Sequence, residues 1–379
     1  MTRSVKAIVI GAGIGGLAAG IALRRAGLDV TVFEQAGELR EIGAGISLWA
    51  NALHALDKLG VREAIEAASD AYEAAGLRSW DGRTLVKIST EDLRQRVGVV
   101  CVIMHRAELQ AILLTALGRD VVSLGAHCVG VQQDSDGAEA QFADGQRVRG
   151  DLLIGADGLH SVVRAALHGS KPPRYSGYTA WRAVVPFDTS RLRASESWGY
   201  GARFGMVPMS MNRVYWFATQ NTAEGGRNTN EKIAATDLFG RWHSPIPLLI
   251  EATPEPDILR NDIYDRPVLK SWGAGRITLL GDAAHPMTPN LGQGACQALE
   301  DAVVLSRSLA GRTDIAAALR SYEQQRIPRA NAFVTRSRQV GAIGQLESRV
   351  AVRLRDAFFS RLSPRLQVNQ LARIIGFRV

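Results

Sequence analysis

Between Lys6 and Glu34 the chain passes from an apolar stretch, Lys6–Ile10, through Gly11-Ala12-Gly13-Ile14-Gly15-Gly16 into an alanine- and leucine-rich segment ending near Arg25. Gly27 closes that segment, and a second apolar stretch, Leu28–Phe33, runs up to Glu34. No other part of the sequence restricts the fold as much. Strand, glycine turn, helix and strand at this spacing have the length that a right-handed βαβ crossover requires. Gly11 permits the tight turn, Gly13 lets a pyrophosphate approach the backbone, and Gly16 lets helix and strand pack closely. The helix start supplies unpaired N–H groups and the positive end of a dipole. Glu34, 18 residues beyond Gly16, stands where a carboxylate accepts hydrogen bonds from ribose hydroxyls. The unit therefore predicts dinucleotide binding through Gly11, Ala12, Gly13, Gly16 and Glu34. On this motif alone FAD and NAD are not distinguished.

The rest of the chain frames that unit. At 379 residues the length predicts two or three domain-sized units. The periodicity predicts helices over Asn51–Leu59, Arg106–Leu117, Gln293–Leu309 and Asp314–Arg326. Strands are expected over Arg119–Val131, Ala138–Val148, Asp151–Ile154 and Ile277–Leu280. After Lys171-Pro172-Pro173 the character changes, and most of the Trp and Tyr residues fall between there and Asp265. The expected architecture is α/β. A discontinuous Rossmann-like domain comprises 1–72, 100–170 and 266–340, a mainly β insertion comprises 73–99 and 171–265, and a helical segment follows at 341–379. With 46% hydrophobic and 22% charged residues the composition is globular. No apolar run approaches the roughly 20 residues of a membrane helix. Three scattered cysteines make neither a disulfide framework nor a zinc motif, and the histidines lack metal-ligand spacing, so no metal is expected. A cytoplasmic monomer or homodimer is the expectation. The net charge of +8 comes from scattered arginines, with only six lysines, and without a basic block it argues against nucleic-acid binding.

Two further segments sharpen the reading. Gly155-Ala156-Asp157-Gly158 with Leu159–Arg164 follows one expected strand, and Gly281-Asp282-Ala283-Ala284-His285-Pro286 follows another, leading through Pro289 to Gly292-Gln293-Gly294-Ala295. With the first glycine motif these resemble the single-component FAD-dependent aromatic hydroxylases, typified by p-hydroxybenzoate and salicylate hydroxylases, from Val5 to about Ala330. The resemblance implies tight, non-covalent FAD, NADH or NADPH as co-substrate, and O2. It implies hydroxylation of a small aromatic or heteroaromatic substrate through a C4a-hydroperoxyflavin. It further implies that Asp282 meets the ribityl chain and that Gly292, Gln293, Gly294 and Ala295 face the flavin pyrimidine edge. Pro289 lies beside the oxygen-reacting carbon, and Asp157 links the FAD and NAD(P)H regions. The same resemblance implies that Arg106 and Gln110 touch FAD, that Cys128 approaches adenine through its backbone, and that His285 is structural.

For the substrate chamber the candidates are Tyr178, Trp181, Arg182, Trp198, Arg203, Tyr215, Trp216 and Phe217, and of these Trp181, Arg182, Arg203, Tyr215 and Phe217 are taken as the substrate residues. The run containing Arg203 and Tyr215 is similar to that of urate-hydroxylase-like members, where an arginine and a tyrosine serve the substrate. An Arg fork holds an anion and a Tyr relays a proton. Ala180 and Arg182 depart from the amide side chains of those members, which points away from urate itself. A flavin-dependent epoxidase or oxidase on the same scaffold, or a flavin-binding protein without turnover, is the alternative. In the basic C-terminal tail, Leu354, Phe358 and Leu362 share a helical stripe that is expected to pack on the chain's own surface rather than on a membrane, with a second helix starting at Ser363-Pro364.

Overall fold

The computed structural model describes residues 4–39, 44–71, 76–98 and 100–379. Lys6–Ile10 forms a strand buried at every position but the first, Ile14–Arg25 a helix, and Asp29–Phe33 a strand parallel to the first. Five strands make an all-parallel sheet in the order Ile277–Leu279, Leu152–Gly155, Lys6–Ile10, Asp29–Phe33, Val122–Ser123. Because the strands are parallel, the Gly11, Asp157 and Asp282 turns all emerge at one edge, where open α/β sheets bind their ligands. Two glycines are sterically obligatory there. A Cβ on Gly11, whose φ is +103°, would lie 2.5 Å from the Ala156 carbonyl oxygen, and one on Gly16 only 1.8 Å from the Gly11 carbonyl oxygen.

Helix Gly294–Leu309 packs along Ile14–Arg25, and the long helix Ile315–Gly344 packs across it. The sequence reading ends the long helix at Arg326, two residues before Pro328, yet the helix runs on for 18 further residues with Pro328 inside it. Buried anchors on both sides of the proline, Tyr322 and Arg326 before it and Phe333 and Val334 after it, outweigh the one lost hydrogen bond. Two expected strands also divide. Val122–Ser123 and Cys128–Gln133 are separated by a turn at Gly125 (φ +71°), and Ala138–Phe142 and Arg147–Gly150 by one at Gly145 (φ +88°).

A seven-stranded sheet takes the order Leu259–Asp265, Arg174–Pro186, Arg213–Asn221, Ala202–Met209, Ser195–Trp198, Gly76–Ser79, Thr84–Val86. One face buries Trp181, Trp216, Phe204 and Met206 beneath helices Glu231–Phe239 and Ile246–Ala252. The other face turns toward the parallel sheet, where Arg203 and Tyr178 meet Asn290 and the Tyr215 ring lies against Gly45; this is the side expected to form the substrate chamber.

Two helices, Arg349–Arg361 and Pro364–Ile375, end the chain, with the second starting where Ser363-Pro364 predicts. The expected stripe does not pack. Leu354 is 67% and Phe358 62% exposed, while the helix buries Val352, Arg355 and Asp356 instead. The cause is local. Arg355 lies over the Trp198 ring and donates to the Gly199 and Gly344 carbonyls, and Phe359 meets Trp198 edge-on, which fixes the inward face.

Candidate active site

The nucleotide edge is assembled from backbone and held by a few side chains. Glu34 accepts from the Ala12 N–H at 2.8 Å and the Ala36 N–H at 3.0 Å, one oxygen each, which leaves lone pairs for a ligand's hydroxyls. Gln110 donates to the Ala12 carbonyl at 2.9 Å and so pins the same loop from helix Arg106–Leu117. A Cβ on Gly13 would meet nothing within 4 Å, so the space above the helix start is open. Neither the Gly13 cap of the first helix nor the Gln293 cap of helix Gly294–Leu309 supplies a side-chain hydrogen bond. By contrast Ser89, Ser161, Asn230 and Asp314 cap their own helices. The two glycine-started helices thus present free N–H donors at the cleft.

Asp282 sits at the mouth of the second motif, solvent-accessible between buried Gly281 and Ala283, and its carboxylate lies 4.0 Å from where a Gly294 Cβ would stand. Crowding by protein raises its pKa, while His285 and Arg106 oppose the rise. Arg106 is exposed on the same side. Pro289 opens a short turn, Pro289–Leu291, followed by Gly292 in the left-handed region at φ +60°; Ala295 is half-buried in the first turn of the helix. Asp157 accepts from the Val162 and Val163 N–H groups at 2.8 and 3.2 Å through one oxygen, and its other oxygen is buried without a partner. Burial pushes its pKa up against those hydrogen bonds. Cys128 is buried at the start of strand Cys128–Gln133, opposite Phe142. Open space over Gly13, free helix donors, Asp282 in the cleft and an unpartnered Asp157 oxygen together suit a dinucleotide with a polyhydroxyl chain, as FAD is.

Beneath the Gly292–Gly294 loop lies a buried ionic belt. Arg326 bonds Asp301 at 2.7 Å and Glu300 at 2.5 Å, and Arg329 makes a second fork to Glu300. His285 contacts Asp301 at 2.6 Å and sits beside Trp272, which agrees with a structural place for it. Burial works to raise both carboxyls, but the arginines, and for Asp301 also His285, hold them below their ordinary values. Asn51 donates to Gln293 and to Glu300, tying the loop to the belt.

Strand pairing sets which candidates meet at the chamber. Arg182 opposes Phe217 across the Arg174–Pro186 and Arg213–Asn221 pair, and Val184 opposes Tyr215. Arg203, two positions from Gly205, shares the face. Phe217 lies over Gly205, and Tyr215 over Gly45, where any Cβ would strike the ring. Burial raises the Tyr215 pKa, opposed by Arg182. Arg182 is half-buried and has no hydrogen-bond or ion-pair partner among the described residues. Arg203 differs sharply. It is 2% exposed and bonds Gln345 at 2.8 Å, Glu196 at 3.2 Å and Asn290 at 2.6 Å. Trp181 is corrected. Alternation turns it to the opposite face, where its Nε1 donates to Glu231 at 2.7 Å and its ring meets Phe239; Trp216 goes the same way, its Nε1 donating to Thr253 at 2.9 Å and its ring stacked on Phe204.

Sequence reasoning missed Asn290, which bonds Arg203 and Tyr178 and so joins the Pro289 turn to the chamber sheet. It also missed Asn51, Glu300, Asp301 and Arg326. A signal for the last three exists. Glu300-Asp301 interrupts the apolar run Cys296–Leu305 on a helix that must be buried, and such acids need a cation.

The FAD binding domain family model matches residues 4–337. Aurachin C monooxygenase/isomerase of Stigmatella aurantiaca is 45% identical over 368 residues, 96% of each chain. FAD-dependent urate hydroxylase of Klebsiella pneumoniae subsp. pneumoniae is 37% identical over 343 residues, 88% of this chain and 89% of that one. Among solved structures, Klebsiella pneumoniae HpxO complexed with FAD and uric acid matches with a TM-score of 0.93 at 34% identity, covering 98% of this chain and 96% of the other.

Proposed function

The chain belongs to the FAD-binding-domain family of monooxygenases, and we propose that it uses NADH or NADPH and O2 to hydroxylate a small aromatic or heteroaromatic ring. FAD, when bound, would supply the redox chemistry, namely acceptance of a hydride from nicotinamide and activation of O2 toward an electron-rich ring. The chain's own residues bind, orient and exclude water. Glu34 takes the ribose, the Gly11–Gly16 turn takes the pyrophosphate, and Asp282 takes the ribityl chain. The N–H groups at Gln293, Gly294 and Ala295 stabilise negative charge at the pyrimidine edge, while the Gly292 N–H donates to the Pro289 carbonyl at 3.0 Å and shapes the loop.

The observation that carries this reading is the direct bonding of the Pro289–Leu291 turn, through Asn290, to Tyr178 and Arg203 of the chamber sheet. The substrate face and the cofactor loop are one bonded unit. On that face Arg182 pairs with an anionic ring oxygen and Tyr215 holds or relays the ring proton. Phe217 covers the ring. Arg203, fixed by three hydrogen bonds, supplies a stationary positive charge beside Pro289. Ala180 offers no hydrogen bond to ring nitrogens, so the reading favours a phenolate-like or fused heteroaromatic ring over urate. For NAD(P)H, a cavity of about 310 Å³ lined by His160, Arg164, Lys171 and Arg266, with no acid, suits the phosphates. Burial and the neighbouring Arg266 push Arg164 down to about 10, the mark of cations gathered without a counter-ion. Three buried free thiols suit a reducing compartment, the cytoplasm.

A panel of phenols and fused nitrogen heterocycles, with urate as comparator, tests the proposal by NADH and NADPH oxidation and product mass. The expected result is oxidation stimulated by one phenolate-like ring, with a hydroxylated product. An epoxide or a dehydrogenated product would move the assignment to the alternative chemistries.

A further inference from the structure

We infer that the outward face of helix Arg349–Arg361, with the start of the helix after it, docks on the surface of an anionic lipid bilayer. This goes beyond the proposed chemistry and does not depend on it. Val350, Leu354 and Phe358 recur every fourth residue and are 67%, 67% and 62% exposed, forming one apolar ridge. Arg361 lies within this ridge and Arg353 on its flank, both exposed, and Arg365 and Leu366 are exposed just past Pro364.

Exposed charge on the helix itself has one sign, and Glu347, just before it, is held away by Asn221 at 2.7 Å. From Ser348 to Val379 there are seven arginines and a single acid, Asp356. That acid is turned inward, held by Arg355 at 2.9 Å and faced by Arg83 at 3.6 Å. An exposed apolar ridge flanked by arginines, with no carboxylate, matches a surface whose outer layer is negative and whose interior is hydrocarbon. The arginine stems lie along the apolar layer while their guanidinium heads stay at the phosphates. A second copy of the chain fits worse, because a two-fold contact would bring the same arginines together. No helix among the described residues is long and apolar enough to cross a membrane, so the contact is peripheral. The inward side of the helix packs on Trp198, and Gly344, just before it, abuts Arg203. The docking face is therefore rigidly joined to the chamber.

Flotation of the FAD-loaded full chain with phosphatidylcholine vesicles, and with vesicles also containing phosphatidylglycerol, tests the inference. Binding is expected only to the anionic vesicles, weakening as salt is raised. Leu354→Glu with Phe358→Glu should abolish it while FAD absorbance and solution mass stay unchanged. Arg353→Gln and Arg361→Gln should each weaken it about fivefold. Absence of binding to anionic vesicles, or equal binding to both kinds, overturns the inference. So does a double variant that floats like the parent, or one that converts a dimer to monomers and thereby identifies a second copy as the occupant.

Discussion

In the parallel sheet the atoms offered to a ligand belong mainly to the backbone, whereas in the seven-stranded sheet they belong to side chains at alternate positions. At Gly11 glycine is required because a carbonyl stands close by, and at Gly294 the proposed ligand would need to reach the N–H groups; each such demand leaves a residue-specific mark. On the chamber sheet, Trp181 and Arg182 are chain neighbours with opposite fates, one in the core and the other facing the chamber. Nothing in either residue type says which side is which. Register decides it.

The comparison can be broken most severely where backbone and side chain meet. Arg326→Ala removes the cation that Glu300 and Asp301 share, leaving Asp301 buried with only His285 to pair with, and a loss of about 3–5 kcal/mol is expected. Denaturant unfolding with FAD occupancy as a second readout measures it, and a loss under 1 kcal/mol would mean the belt is not structural. Trp181→Ala should cost a similar amount, about 3–5 kcal/mol, from the cavity it leaves under helix Glu231–Phe239. Any substrate effect should follow stability and be restored at lower temperature.

Its neighbour behaves otherwise. Arg182→Gln should leave the unfolding midpoint nearly unchanged and lower kcat/KM by about 1.5–3 kcal/mol, roughly ten- to a hundredfold, mostly through KM. Equal effects of the two substitutions on stability would erase the distinction between the faces. Within the glycine motif, Gly13→Val should fold, since open space surrounds the site, yet lose most FAD affinity in a flavin titration. Gly16→Val should fail to fold, because its Cβ would occupy the Gly11 carbonyl.

The smallest effect concerns acid. Glu300 and Asp301 are held below their ordinary pKa values, so the stability they contribute is fully present above about pH 4 and is lost as pH falls through the depressed values. Urea midpoints measured across that window should fall in the parent and fall less steeply, below pH 4, in a Glu300→Gln variant. Identical slopes would assign the acid limb to other carboxylates.

The parts legible in the sequence follow this division. The βαβ unit, the Asp157 and Asp282 turns and the second glycine turn could be read because close approach restricts residue type at fixed spacing. Arg182, Tyr215 and Phe217 could be nominated by composition, but the same reasoning admitted Trp181, since a strand reads alike from both faces. Asn290 was hidden because an amide in a turn is ordinary, and its meaning lies in Arg203 and Tyr178, far away in sequence. The C-terminal ridge was misassigned for a related reason. A stripe of Leu354, Phe358 and Leu362 shows that one side is apolar, while Trp198 and its contacts with Arg355 and Phe359 decide which side faces in.

The central claim, that the bonded unit of cofactor loop and chamber sheet inserts oxygen into an aromatic ring, is tested most directly by turnover under isotopically labelled O2. The FAD-loaded protein, given NADH or NADPH and the ring that best stimulates its oxidation, should yield a product carrying one labelled oxygen atom on the ring. Arg182→Gln should yield less of it at equal flavin content. A product whose new oxygen comes from water, or a ring that leaves unoxygenated while the nicotinamide is consumed, would contradict the account.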